Sequence, residues 1–155
     1  MRIRRATVRD IPRLIAISHE SDSAGHWTVS QYERALTESP PIRVVLVLEE
    51  SGEVMGFAVA AEIAREWELE NIAVSIPSRR KRYAAHLLAT LLGELRKAAA
   101  ESVYLEVRVS NHAARCLYEN WGFQQVGLRP GYYHNPSEDA ILYKKNLVTA
   151  ARERG

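Results

Sequence analysis

Residues 71–88, NIAVSIPSRRKRYAAHLL, place an apolar run, a basic loop and an alanine- and leucine-rich run in direct succession. The apolar run ends a predicted strand over 66–74, and the periodic leucines predict a helix over about 83–99. The loop between them therefore leads into a helix N-terminus, where free amides and the helix dipole favour an anion. The basic residues 79–82 could cradle a phosphate group, cap the helix in solvent, or belong to a nucleic-acid patch.

The overall composition narrows these alternatives. A chain of 155 residues that is 46% hydrophobic supports one domain, 1–155, with a sizeable core. A net charge of +2 argues against a protein built mainly to bind nucleic acid or an anionic membrane. The lone Cys116 allows no internal disulfide and no cysteine-based zinc site. With no apolar run near the ~20 residues of a membrane span, we expect a cytoplasmic protein without membrane, nucleic-acid or metal partners.

Outside this segment, hydrophobic periodicity predicts the remaining elements. The predicted strands are 2–8, 43–50, 54–63, 66–74, 102–109, 123–133 and 140–147. The predicted helices are 10–21, about 28–39, 83–99 and 111–121. Asp10 is the expected N-cap of the first helix, and Thr28 or Ser30 begins the second. The order β-α-α-β-β-β-α-β-α-β-β indicates an α+β fold, with a mixed, mostly antiparallel sheet covered by helices.

Residues 71–88 resemble motif A of the GNAT acetyltransferases, in which a strand precedes Arg/Gln-x-x-Gly-x-Gly/Ala and a helix. Arg79 matches the opening residue of that motif and Ala84 its closing residue, but Arg82 stands where the family usually has its first glycine. If this position needs a positive φ, arginine costs about 1 kcal/mol or more and crowds the ligand. If the position is right-handed, Arg82 could instead add a phosphate contact.

Residues 105–123, LEVRVSNHAARCLYENWGF, resemble a later motif of the same family, and in particular its ribosomal-protein alanine N-acetyltransferase branch. That branch also has Trp-Ser/Thr before its second helix, as in Trp27-Thr28 here. Its ending is matched by Arg129, the Tyr132-Tyr133 pair and EDAILY (138–143). The resemblance implies the GNAT acyl-CoA N-acyltransferase fold and transfer of an acetyl group from acetyl-CoA, used as co-substrate, to an amine.

The resemblance also implies how acetyl-CoA is held. Backbone amides at the end of the 66–74 strand would bind the acetyl and pantetheine portion, provided that the strand splays from its neighbour. Amides of the basic loop would bind the pyrophosphate, and Asn111 would contact CoA, although a plain N-cap role explains Asn111 equally well. The candidate cofactor-binding residues are Ile72, Ala73, Val74, Arg79, Arg80, Lys81, Arg82, Tyr83, Ala84, Ala85 and Asn111.

Glu106 and Tyr118 are the candidate catalytic residues. Glu106 is a carboxylate in the middle of an apolar strand, which indicates either an ion pair or a general base; the resemblance favours the base. Tyr118 lies seven residues after Asn111, on the same side of the helix. The resemblance implies that it protonates the departing thiolate, while the alternative is a core residue with its hydroxyl at the rim.

Five further residues have weaker claims. Glu68 and Glu70 could line the acceptor site or supply a second base, and Glu70 could instead form a structural ion pair. Tyr132 and Tyr133 could wall an acceptor groove or simply pack against the sheet. Cys116 is expected to be a small core residue.

The branch resemblance favours the N-terminal α-amine of a protein as the acceptor. A small-molecule amine or a lysine side chain would need the same fold and cofactor and stays an alternative. A CoA-binding, non-catalytic module, in which Arg82 blocks the cofactor, is a second alternative from another class. The sequence leaves monomer and homodimer open.

Overall fold

The computed structural model describes residues 1–21 and 26–147, which form one mixed sheet with helices on both faces. The strands are β1 (Arg2–Arg5), β2 (Arg43–Glu50), β3 (Glu53–Ile63), β4 (Glu66–Val74), β5 (Ser102–Arg108), β6 (Gln124–Tyr133) and β7 (Glu138–Asn146). The helices are α1 (Ile11–His19), α2 (Val29–Thr37), α3 (Tyr83–Lys97) and α4 (His112–Asn120). The predicted order of elements and the α+β class are confirmed.

The sheet runs β1-β2-β3-β4-β5-β7-β6, and its neighbours are antiparallel except for β4 and β5. That parallel ladder consists of two residue pairs, Trp67 with Val103 and Glu68 with Tyr104. The next residues of both strands are not paired with each other, so the sheet opens between the end of β4 and the end of β5. This is the splay that the cofactor hypothesis requires.

Two apolar cores, one on each face of the sheet, hold the helices in place. On one face, Leu87, Leu91 and Leu95 of α3 are fully buried against alternate residues of β2 to β5. On the other face, α1 and α2 cover a cluster that includes Tyr32 and Phe57. Burying an aliphatic or aromatic side chain contributes about 1.5–3 kcal/mol, so α3 is anchored along most of its length. Within the described residues, no helix is both long enough and apolar enough to cross a membrane.

Gly56 of β3 allows α3 to approach the end of β4. A Cβ atom at this position would lie 3.0 Å from the carbonyl oxygen of Ala73 and 3.2 Å from the side chain of Leu87. The missing side chain therefore lets α3 pack directly over the strand end where the sheet opens.

A β-bulge in β4 determines the direction of Glu70. Val59 of β3 pairs with Asn71, but the next residue, Ala60, pairs with Leu69, so Glu70 is the extra residue. Its carboxylate is 2.8 Å from Nε of Arg43. The structural ion pair considered for Glu70 is therefore present.

Local details differ from the sequence expectations at two positions. Asp10 is the N-cap of α1 as predicted, but it makes no side-chain capping bond; its carboxylate instead accepts from the backbone N–H of Thr7 and from the guanidinium of Arg4, both at 2.8 Å. Cys116 is exposed on α4 rather than buried in the core. Thr28 caps α2 as predicted.

Candidate active site

A cleft of about 570 Å³ opens where β4 and β5 part. Its walls come from the end of β4, the loop into α3, the first turn of that helix, β5, and one side of α4. All the candidate catalytic and cofactor-binding residues line it except Lys81. The fold thus brings segments near residues 72, 82, 106 and 118 to one place, although their roles there stay predictions.

Lys81 is directed away from the cleft by two contacts. Its ammonium nitrogen is 3.5 Å from a carboxylate oxygen of Glu50, and it lies 5.8 Å from the ring centre of Tyr83. The cofactor role predicted for Lys81 rests on its backbone amide and stays a prediction.

Arg82 has a left-handed backbone conformation, the first of the two alternatives considered for this position of the motif. Its φ is 62° and its ψ 22°, and it forms the N-cap of α3. Arg80 also has a positive φ, of 72°. A left-handed residue with a side chain costs about 1–2 kcal/mol, so the loop concentrates backbone strain at the helix N-terminus. The chain therefore keeps the backbone geometry that a glycine would favour, while adding two guanidinium groups to the wall of the cleft.

The guanidinium of Arg79 has a structural task. It donates to the backbone carbonyls of Val74 at 3.3 Å and Glu20 at 3.2 Å, while the Glu20 carboxylate accepts from the backbone N–H of Ile76 at 2.9 Å. These bonds tie the loop to the end of α1. Arg79 therefore positions the loop with its side chain.

The Glu106 carboxylate is largely buried on β5, with 12% of its side chain exposed. One oxygen, Oε1, is 3.6 Å from Nε of Arg129. The other, Oε2, is buried and accepts no hydrogen bond from any of the described residues. A buried acceptor without a donor is costly, and such an atom in the wall of a cleft is suited to a donor supplied by a ligand.

The groups around Glu106 include a second carboxylate, Glu68, and the neutral phenols of Tyr132 and Tyr133. Burial, then the charges of Glu106 and Glu70, raise the pKa of Glu68 above its usual value. The pKa of Tyr132 is raised to about 12, chiefly because the neutral phenol can donate to Glu106. Burial and then the Glu106 charge raise the pKa of Tyr133 to about 12 as well.

Tyr118 and Asn111 face the cleft from α4. Tyr118 is 5% exposed and packs on Phe123, with ring centres 5.6 Å apart. Burial raises the pKa of Tyr118 well above that of a free tyrosine, so its phenol keeps its proton. Asn111 Oδ1 accepts from the backbone N–H of Ala114 at 3.2 Å. The N-cap interpretation of Asn111 is therefore correct, and it does not exclude ligand contact through the amide nitrogen.

Arg108 and Glu138 support the site and were missed in the sequence. Arg108 donates to the carbonyls of Pro136 at 3.0 Å and His134 at 3.2 Å, and its guanidinium lies 4.4 Å from the ring centre of Tyr133. Glu138 accepts from the backbone and hydroxyl of the residue before Asn111. The sequence contains one indication for Arg108: the alternation of β5 places it on the same face of the strand as Glu106.

Comparisons with known proteins agree with this geometry. The family model described as Acetyltransferase (GNAT) family matches residues 10–123. The [ribosomal protein bS18]-alanine N-acetyltransferase of Escherichia coli K12 is 38% identical over 97 residues, which are 61% of this chain and 66% of that protein.

Solved structures match over nearly the whole chain. The crystal structure of the ribosomal-protein-S18-alanine N-acetyltransferase from Escherichia coli has a TM-score of 0.85 and 30% identity, covering 96% of this chain and 95% of that one. Ard1 from Thermoplasma volcanium has a TM-score of 0.84 and 27% identity, covering 96% and 98%.

The chain belongs to the GNAT acetyltransferase family. It is an acetyl-CoA-dependent N-acetyltransferase, and the family resemblance and fold expected from the sequence are confirmed. In the part of the chain that the structure covers, no three His, Cys, Asp or Glu side chains are grouped so that they could hold a metal ion.

Proposed function

We propose that this enzyme acetylates the N-terminal α-amine of a protein, with a ribosomal-protein N-terminus as the model acceptor. The observation that carries the proposal is the similarity to E. coli ribosomal-protein-alanine N-acetyltransferase along nearly the full length of both chains. Glu106 of β5 and Tyr133 of β6, two of the residues on which the sequence resemblance rests, both line the cleft.

The chemistry of the acceptor also favours an α-amine over a lysine side chain. An α-amine has a pKa of about 7.7–8.0, so roughly a tenth of it is unprotonated at pH 7. A lysine side chain has a pKa of about 10.4, so only about one part in 2,500 is unprotonated at that pH. A single carboxylate can complete the deprotonation of the first far more readily than of the second. Glu106, the candidate base in the wall of the cleft, therefore suits an α-amine.

Acetyl-CoA would be held largely by backbone donors. The N-terminus of α3, with the strained loop before it, offers amides and a positive dipole to the pyrophosphate. Ile72, Ala73 and Val74 lie at the strand end that β5 leaves unpaired, and those of their amides that face away from β3 would bind the pantetheine and acetyl portion. Arg80 and Arg82 would add charge to the phosphate end of the cleft.

Each step of acetyl transfer can then be assigned to a group of the protein. Glu106 Oε2 accepts a proton from the acceptor ammonium, directly or through one water, and the free amine attacks the thioester carbonyl. Backbone N–H groups at the end of β4 stabilise the tetrahedral oxyanion. When the intermediate collapses, the C–S bond breaks, the thiolate takes the phenolic proton of Tyr118, and the attacking nitrogen loses its second proton to solvent. Glu106 then releases its proton to solvent and Tyr118 regains one, so that one proton is released overall. The products are the acetylated amine and CoA.

The test is thiol release with a panel of acceptors. The first acceptor is a peptide with a free N-terminus and no lysine. The second is a peptide that differs from the first only in its blocked N-terminus and one internal lysine. The third is a polyamine. We expect release with the first alone. Preference for the lysine peptide or the polyamine would overturn the acceptor, and acetyl-CoA binding without release to any amine would favour the non-catalytic module.

A further inference from the structure

Helix α4, which carries Tyr118, buries few of its side chains. Of its nine residues, all of which the structure describes, Tyr118 alone is buried. Isolated helices shorter than about 12–15 residues are marginal in water, so α4 depends on bonds to the rest of the fold. The cap bond from Asn111 to the N–H of Ala114 closes the first turn, but it does not tie the helix to the sheet.

A buried phenol on β7 makes that connection. Tyr143 is 1% exposed, and its hydroxyl donates to Oε2 of Glu119 at 2.6 Å. The same hydroxyl accepts from Nε of Arg115 at 3.3 Å. Arg115 and Glu119 are four residues apart and therefore lie on the same side of α4. Arg115 extends the network to the residue after β5, because its Nη1 donates to the carbonyl of Val109 at 2.9 Å.

The network lies beside the ring of Tyr118. Tyr118 directly precedes Glu119 and is three residues, about one helical turn, after Arg115. Its ring centre is 6.3 Å from that of Tyr143 and 5.6 Å from that of Phe123. A rotation or shift of α4 would move the Tyr118 hydroxyl relative to the cleft, and the bonds of Tyr143 oppose such a movement.

We propose that Tyr143, bonded to Arg115 and Glu119, is a positioning residue that holds α4 so that the Tyr118 hydroxyl stays within reach of the departing thiolate. None of the three side chains lines the cleft, so their effect on the reaction passes through Tyr118. The inference rests on the proposed role of Tyr118 as the proton donor.

Tyr143→Phe tests this directly, because it removes the phenolic oxygen and keeps the ring beside Tyr118. We expect kcat to fall by about three- to tenfold, since a misplaced group loses part of the rate that alignment supplies. KM for acetyl-CoA should stay within about twofold of wild type, because the cofactor loop is untouched. Both are measured by steady-state kinetics well below the Tm of each variant.

Tyr32→Phe is the matched control. Tyr32 is also fully buried, and its hydroxyl shares a hydrogen bond with that of Ser18 at 3.1 Å, in the core on the other face of the sheet. The control should therefore lower the free energy of unfolding, as Tyr143→Phe does, but leave kcat unchanged.

Glu119 gives a second test, at an exposed position whose replacement keeps the core intact. Glu119→Ala removes the group that accepts the Tyr143 proton, and it should lower kcat as Tyr143→Phe does. Glu119→Gln keeps an acceptor oxygen and should retain most of the wild-type kcat. Equal losses in the two Glu119 variants would overturn the role assigned to this bond.

The double variant Tyr118→Phe/Tyr143→Phe separates positioning from a general structural effect. If Tyr143 acts through Tyr118, its replacement should have no further effect on kcat once the Tyr118 hydroxyl is gone. The same fold loss of kcat in both backgrounds, or a wild-type kcat in Tyr143→Phe, would overturn the inference.

The same variants distinguish failure of this inference from failure of the function on which it rests. If Tyr118→Phe loses turnover while Tyr143→Phe does not, the acid role stands and the inference fails. If Tyr118→Phe keeps full turnover, the acid role itself fails, and Tyr143 has no catalytic group to position.

Discussion

Replacing Arg82 with glycine separates what its backbone does from what its side chain does. The residue has φ 62° at the N-cap of α3, a conformation that costs an L-residue about 1–2 kcal/mol. Glycine removes this cost but adds freedom to the unfolded chain worth about 0.4–1 kcal/mol. Arg82→Gly should therefore stabilise the fold by roughly 0.5–1 kcal/mol, which raises Tm by about 1–4 °C for a chain of this size.

The same variant should weaken acetyl-CoA binding. The Arg82 side chain is exposed and lines the cleft at the N-terminus of α3, where it can make a charge-assisted contact with a phosphate. Losing a contact worth about 0.5–1.5 kcal/mol corresponds to a rise in Kd of roughly two- to tenfold. The loss should shrink at high salt, because screening already weakens an exposed charge.

Thermal unfolding and titration calorimetry with acetyl-CoA, at low and high salt, measure the two effects separately. Arg82→Ala is the matched control: it removes the cation but keeps a side chain at positive φ, so it should lose affinity without gaining stability. Tighter binding by Arg82→Gly would show that the arginine crowds the ligand. A variant no more stable than the wild type would refute the argument from strain.

Three further predictions concern residues around the cleft and the N-terminal fold. Tyr118→Phe should lower kcat about tenfold or more with little change in acetyl-CoA affinity, measured by steady-state kinetics and calorimetry, because it removes a proton donor; unchanged kcat would exclude Tyr118 as the acid. Asn111→Ala should lower the free energy of unfolding by about 1 kcal/mol through loss of the cap to Ala114, and Asn111→Asp, which keeps the cap, should not. The Arg4 guanidinium holds the pKa of Asp10 below its usual range. The stability that ionised Asp10 supplies is therefore present above about pH 3.9 and is lost as the pH falls through the lower pKa of the folded state. Arg4→Met should flatten this pH dependence of the free energy of unfolding, measured by chemical denaturation across acidic pH.

The elements of the fold were predictable because their signals are local. The apolar runs in 43–50 and 54–63 and the spaced leucines of α3 each favour a conformation within a few residues. The wall of the cleft was predictable for a related reason: most of it comes from two continuous stretches of sequence, the end of β4 with the loop and first turn of α3, and β5 with α4.

The electrostatic partners of the site were not predictable in this way. Glu106 meets Arg129 from β6, and Arg108 meets carbonyl groups 26 and 28 residues later. The neighbouring sequence does not indicate these contacts, because they depend on the order of β5, β7 and β6 in the sheet. The ion pair of Lys81 likewise depends on Glu50 of β2, which lies far from it in the chain.

The most direct test of the whole account is a pair of measurements on Glu106→Gln, which removes the charge of the side chain and keeps its shape. The account predicts that turnover with an N-terminal peptide falls at least tenfold, while the Kd for acetyl-CoA stays within about twofold of wild type. Turnover equal to that of the wild type would contradict it, because the cleft would then bring acetyl-CoA beside a carboxylate that the reaction does not need.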